Sequence, residues 1–123
     1  MVYGIGIDMQ NSAAFEALPE DDVFFKKTFT PAERAAAAAR SRPAVYFAER
    51  FAAKEAVINA FHTGTNHLRL SEVETLNEET GAPVVTLHGV LHALALEKHI
   101  SEVQISLSFD NGTAAAYALL WVT

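Results

Sequence analysis

The chain has 123 residues, half of them hydrophobic, no cysteine and a net charge of −6. That length predicts one domain over 1–123 with a single core; the lack of cysteine excludes disulfides, thiolate catalysis and cysteine-rich zinc sites, as expected of a cytoplasmic protein. No apolar run approaches the ~20 residues that cross a bilayer, and Met1-Val2-Tyr3-Gly4 lacks the basic and apolar regions of a secretory leader, so no membrane partner is expected.

Val2 to Asp8 reads as a strand in which Tyr3, Ile5 and Ile7 alternate with Gly4 and Gly6, glycines that let another backbone or a ligand come close. A polar helical segment follows over about 11–18, then a short run from Asp22 to Phe29. Thr30-Pro31-Ala32-Glu33 is a helix start, with a capping hydroxyl, proline at the first helical position and glutamate closing a capping box. Ala35 to Ala39 continue that helix, and Ser41-Arg42-Pro43 interrupts it. A long helix is predicted from about Pro43 to Phe61. Strands are predicted over Leu70–Leu76 and Pro83–Leu87, joined by a loop at Asn77–Gly81, with a helix at Val90–Lys98. Glu102 to Phe109 alternates apolar and polar residues, and Asp110-Asn111-Gly112 turns into a last strand, Thr113–Val122. This order predicts an α+β fold: an antiparallel sheet with helices packed on one face.

Seven of the nine basic residues lie between Lys26 and Lys54, opposed there only by Glu33 and Glu49, so that window carries about +5. A basic surface on an acidic protein suits an anionic ligand or acidic partner, although a solvated helical face would have the same composition. No nucleic-acid-binding signature accompanies it, and nucleic acid is not expected as a partner.

The long helix carries the main anomaly. Counting about 100° per residue, Phe47, Phe51, Ile58 and Phe61 share one face, with Lys54 near its middle and Arg50 and Glu55 at its edges. Ala52, Ala53, Ala56 and Ala60 cover the opposite side, where small residues admit a neighbouring backbone. Buried charges persist only when paired, solvated or bound to a ligand. Two readings of these residues stay open. The cations snorkel to water while Glu55 makes an ordinary ion pair, or cations beside a carboxylate serve an anionic ligand neutralised by a metal.

Gly4-Ile5-Gly6-Ile7-Asp8, the helical Arg50-Phe51-Ala52-Ala53-Lys54-Glu55-Ala56, Thr63-Gly64 after it, the Gly81-Ala82-Pro83 hairpin and the late Ser106-Leu107-Ser108-Phe109-Asp110 occur in a specific order. Over essentially the whole chain this resembles the holo-acyl-carrier-protein synthase group of the 4'-phosphopantetheinyl transferase superfamily. The resemblance implies transfer of phosphopantetheine from coenzyme A to a serine of an apo acyl carrier protein, releasing adenosine 3',5'-bisphosphate. It also implies a homotrimer with active sites between subunits. Asp8 and Glu55 match the carboxylates that hold Mg2+ against the pyrophosphate; the residue-level alternative is Asp8 capping a helix and Glu55 paired to a lysine. By the same resemblance Arg50, Lys54, Thr63 and Gly64 border the coenzyme A. The proton acceptor stays open among Glu55, a metal-bound water and a residue of a neighbouring subunit.

Some positions depart from the family pattern. Asn59 stands where a phosphate-contacting lysine is usual and Phe109 where the late strand ends in histidine. Ala14 replaces a carrier-contacting arginine, Asn11 a frequent glutamate and His62 a glycine. A lost charged hydrogen bond to phosphate is worth about 1.5–3 kcal/mol, so Asn59 and Phe109 predict reduced activity. The alternative function is then a weakened or inactive member that binds coenzyme A or a carrier protein as a structural or regulatory subunit.

Other constellations are weaker. His88 and His92 have zinc-like i, i+4 spacing with no third ligand evident and read as surface histidines. There is no G-x-S-x-G elbow, and Gly4-x-Gly6 lacks the rest of a dinucleotide fingerprint. Ser106 and Ser108 read as the exposed side of a strand. Trp121 and Phe24-Phe25 read as core or interface anchors, and Phe24-Phe25 beside Lys26-Lys27 could alternatively dock a carrier helix.

Overall fold

The computed structural model describes residues 1–62 and 68–123. Strand β1 (Val2–Asn11) leads into helix α1 (Ser12–Glu16), followed by α2 (Val23–Thr28), α3 (Pro31–Ala38) and the long α4 (Pro43–Ala60). A 3-10 turn at Leu70–Glu72 precedes the hairpin β2 (Val73–Asn77) and β3 (Pro83–Leu87), then α5 (Gly89–Glu97), β4 (Ile100–Asp110) and β5 (Thr113–Val122). The α+β expectation holds, with antiparallel pairing throughout and α4 against one sheet face. The strands form two sheets: β1-β5-β4, with β5 central, and the separate pair β2-β3.

The largest departures from the sequence reading are at two boundaries. The first strand runs on to Asn11 because Met9, Gln10 and Asn11 keep pairing with Ala115, Ala114 and Thr113. Asn11 then caps α1 by accepting from the Ala13 N–H at 2.9 Å. Residues 70–72 form a tight turn rather than strand, and the Lys54 ammonium donates to the Leu70 carbonyl there at 3.2 Å.

Small residues set the spacing between sheet and helix. Gly4 and Gly6 of β1 and Ala114, Ala116 and Ala118 of β5 are buried, as are Ala52, Ala53, Ala56 and Ala60 of α4. A methyl group on Gly6 would overlap the Ala56 carbonyl oxygen, and one on Gly4 the Ala60 carbonyl oxygen. Two strand residues advance about 6.6 Å and four helical residues about 6.0 Å. The strand and helix therefore stay in register over this contact.

The core has two parts. One joins α4, β5 and α5 through Val57, Phe61, Leu91 and Leu120. The other is an aromatic cluster in which Phe15, Phe25 and Phe29 pack with Phe24, Phe47 and Phe51. Phe24-Phe25 are thus part of the interior packing. On the other side of β1, Ile5, Ile7 and Met9 are exposed beside Tyr117 of β5. Asn111 and Gly112 both have positive φ (49° and 81°), giving the tight β4–β5 turn anticipated from Asp-Asn-Gly.

Candidate active site

Strand alternation puts Gly4, Gly6, Asp8 and Gln10 on the β1 face that meets α4. Once the glycines bring the backbones together, Asp8 comes beside the turn of α4 that carries Glu55. The Gln10 side-chain amide orients Asp8, donating to its Oδ2 at 2.7 Å. Asn59, one turn after Glu55, donates to the Ile7 carbonyl at 3.4 Å and links that part of α4 to the same strand. Burial first, and then the Asp8 charge, push the Glu55 carboxyl above its usual range.

Among the described residues no lysine or arginine pairs with Asp8 or Glu55. Asn11, rather than Asp8, caps α1. Two neighbouring carboxylates, one already resisting ionisation, form a hard oxygen donor set that a divalent cation would relieve. Magnesium characteristically takes one or two protein carboxylates and keeps waters and phosphate oxygens in its other positions. The donor set fits that ion. Among the described residues no group of three or more His, Cys, Asp or Glu side chains could hold a metal, His88 and His92 included. His88 instead lies 3.3 Å from Glu74 Oε1.

Lys54 occupies a different place. It is wholly buried, 2.7 Å from Glu33 Oε1, and donates also to the Leu70 and Val73 carbonyls. The ammonium's three donors are thereby used inside the chain. Snorkelling is ruled out for this residue, and in this geometry no donor of Lys54 is left for a coenzyme phosphate. Glu33 is equally occupied, accepting from the Thr30 and Thr75 backbone N–H groups at 3.0 and 2.9 Å. The capping box predicted Glu33 as a local feature. Its partnership with Lys54 was missed, because nothing in the spacing of α3 and α4 shows which carboxylate meets which cation.

Arg50 is 2% exposed and donates through Nη2 to Asn77 Oδ1, while its Nε and Nη1 have no hydrogen-bond partner among the described residues. Beside it opens a pocket of about 340 Å³, lined in part by Arg40, Glu49, Asn77 and Ser106. Arg40 and Arg50 together give this pocket a cationic wall suited to an anion. Thr63 and Gly64 lie outside the described residues.

The profile of the 4'-phosphopantetheinyl transferase superfamily matches residues 4–121. The holo-[acyl-carrier-protein] synthase of Natranaerobius thermophilus is 35% identical over 123 residues, covering 98% of each chain. The chain belongs to the holo-[acyl-carrier-protein] synthases. The crystal structure of the Neisseria meningitidis synthase matches with a TM-score of 0.89 at 28% identity, covering 98% of this chain and 99% of that one. The Bacillus anthracis synthase, solved in complex with CoA (3',5'-ADP), matches with a TM-score of 0.80 at 30% identity, covering 100% and 99%.

The departures from the usual synthase pattern have local structural consequences. Phe109 packs into the aromatic cluster of Phe15, Phe25 and Phe29. His62 adopts φ +60°, a backbone region that glycine enters more freely than histidine. Ala14 is exposed on α1. Neither the geometry nor the relatives support the reduced activity expected from Asn59 and Phe109. Arg40, Asn77 and Ser106 were not anticipated as site residues. The excess of basic residues between 26 and 54 was the available signal for Arg40; the other two carry none.

Proposed function

We propose that residues 1–123 act in the cytoplasm as one phosphopantetheinyl transferase domain, moving 4'-phosphopantetheine from coenzyme A to a serine of an apo acyl carrier protein. The observation that carries this reading is the Asp8–Glu55 couple, set between β1 and α4 with no lysine or arginine paired to it among the described residues, in a chain of the synthase family. Asp8 and Glu55 would hold Mg2+, which when bound would polarise the pyrophosphate and neutralise charge on the leaving group.

The remaining chemistry is positioning and proton transfer. The carrier serine oxygen forms a bond to the phosphorus nearest pantetheine. The bond from that phosphorus to the oxygen bridging it to the second phosphorus breaks, its electron pair leaves on that oxygen with adenosine 3',5'-bisphosphate, and the serine proton passes to a base. The acceptor is Glu55, a metal-bound water or a residue of a neighbouring subunit; the raised proton affinity of Glu55 belongs to the metal-free pair, and a bound cation would lower it. The guanidinium groups of Arg50 and Arg40 would bind an anionic end of the coenzyme in the pocket that both residues line. Lys54 would act structurally, through Glu33.

Shared active sites in a homotrimer agree with two features. Arg50 and Glu55 are five residues apart on α4 and so about 140° apart around the helix, leaving the anion pocket and the carboxylates on different sides of one chain. The exposed stripe of Ile5, Ile7, Met9 and Tyr117 is an apolar surface of the kind that subunit contacts cover.

Intact mass of apo carrier protein after incubation with coenzyme A, Mg2+ and this protein tests the reading. A gain of one phosphopantetheine is expected. No gain with saturable coenzyme A binding would instead establish a binding subunit without transferase activity.

A further inference from the structure

Arg40 and Arg50 reach the anion pocket from different elements yet share one support. The guanidinium carbon of Arg50 lies 4.3 Å from the centroid of the Tyr46 ring, and that of Arg40 lies 4.9 Å from the same centroid. Tyr46 is 2% exposed and sits one turn before Arg50 on α4. Its hydroxyl has no hydrogen-bond partner among the described residues, so the ring, not the Oη, accounts for what this side chain does here. Arg40 follows the end of α3 and is exposed. Among the described residues its side chain makes no hydrogen bond or salt bridge, and it lies over the Tyr46 ring with the Glu49 charge nearby.

Two guanidinium groups at one cavity repel each other, and a long exposed side chain loses rotamer freedom when a ligand immobilises it. An aromatic face attracts both cations and takes up part of that ordering before binding. We propose that Tyr46 is a positioning residue whose ring holds Arg40 and Arg50 together at the pocket, so that a nucleotide phosphate meets two ordered cations. The proposal rests on the pocket taking an anionic end of coenzyme A, as read above.

The test is calorimetric titration of adenosine 3',5'-bisphosphate into the wild type, Tyr46→Phe, Tyr46→Met and Arg40→Gln, with steady-state kinetics on coenzyme A. Tyr46→Met fills a similar volume without a ring. It should weaken binding by roughly three- to thirtyfold, with the loss falling on KM for coenzyme A rather than on kcat. Tyr46→Phe keeps the ring and should restore the affinity. In the free wild type, the Arg40 Nε–Hε resonance should be displaced from its random-coil position by the ring, a readout that stands even if Tyr46→Met does not fold. A random-coil Arg40 signal overturns the proposal. So does weakened binding in Arg40→Gln with none in Tyr46→Met, which leaves the pocket reading intact. If Arg40→Gln and Tyr46→Met both bind as the wild type does, the pocket reading fails and the proposal fails with it.

Discussion

Glu33 Oε1 and Lys54 Nζ lie 2.7 Å apart with neither side chain exposed, tying the first turn of α3 to the middle of α4. Burial pushes the Lys54 ammonium below its usual range, and Glu33 partly offsets that. Both groups are otherwise satisfied by backbone partners from α3, β2 and the turn before it. Removing one partner leaves the other charge buried and uncompensated. Lys54→Met or Glu33→Gln should each cost about 3–5 kcal/mol of stability, measured by urea unfolding. A loss no larger than that of an exposed pair would show that the ammonium escapes to water.

Glu55 supplies a pH prediction. Its folded-state carboxyl titrates above the ordinary glutamate value of 4.5. The folded protein therefore binds more protons than the unfolded chain just above that value, and this group's contribution to stability falls as pH rises through the raised range. Asp8→Asn removes the like charge. In the absence of divalent ions it should make the protein more stable at neutral pH, while abolishing Mg2+-dependent transfer. Thermal denaturation of the two proteins across pH checks the sign. Lower neutral-pH stability in Asp8→Asn would place Asp8 in a favourable contact instead.

Gly6 tests how the site is set. Alanine there would drive a methyl group into the Ala56 carbonyl oxygen and push β1 away from α4. Gly6→Ala should therefore lose transferase activity and stability together, read by carrier-protein modification and melting temperature. Retention of both would mean that the strand can shift without separating Asp8 from Glu55.

Asn59→Lys puts a cation one turn from Glu55, on the same helical face. If the missing charge limits turnover, kcat/KM should rise by roughly ten- to hundredfold. An unchanged rate would show that the pocket compensates elsewhere.

Local chemistry made much of this legible from the residues. The Thr30–Glu33 capping box, the glycine alternation in β1 and the alanine face of α4 each have a short-range cause, and each is found in the structure. The pairing of Asp8 with Glu55 came from the family resemblance, and the glycines and alanines that flank them supply its physical cause in the structure. The fate of Lys54 could not, since its partner comes from another helix and its carbonyl contacts from a turn that resembles strand in sequence. Periodicity placed Lys54 on the inward face, but only tertiary pairing shows how the charges of Lys54 and Arg50 are met inside the chain.

Calorimetric titration of Mg2+ into the protein saturated with coenzyme A tests most directly whether Asp8 and Glu55 hold one ion together. Joint ligation predicts one site in the wild type and loss of that site in both Asp8→Asn and Glu55→Gln, with the fold retained by circular dichroism. Wild-type Mg2+ affinity in either variant would contradict it.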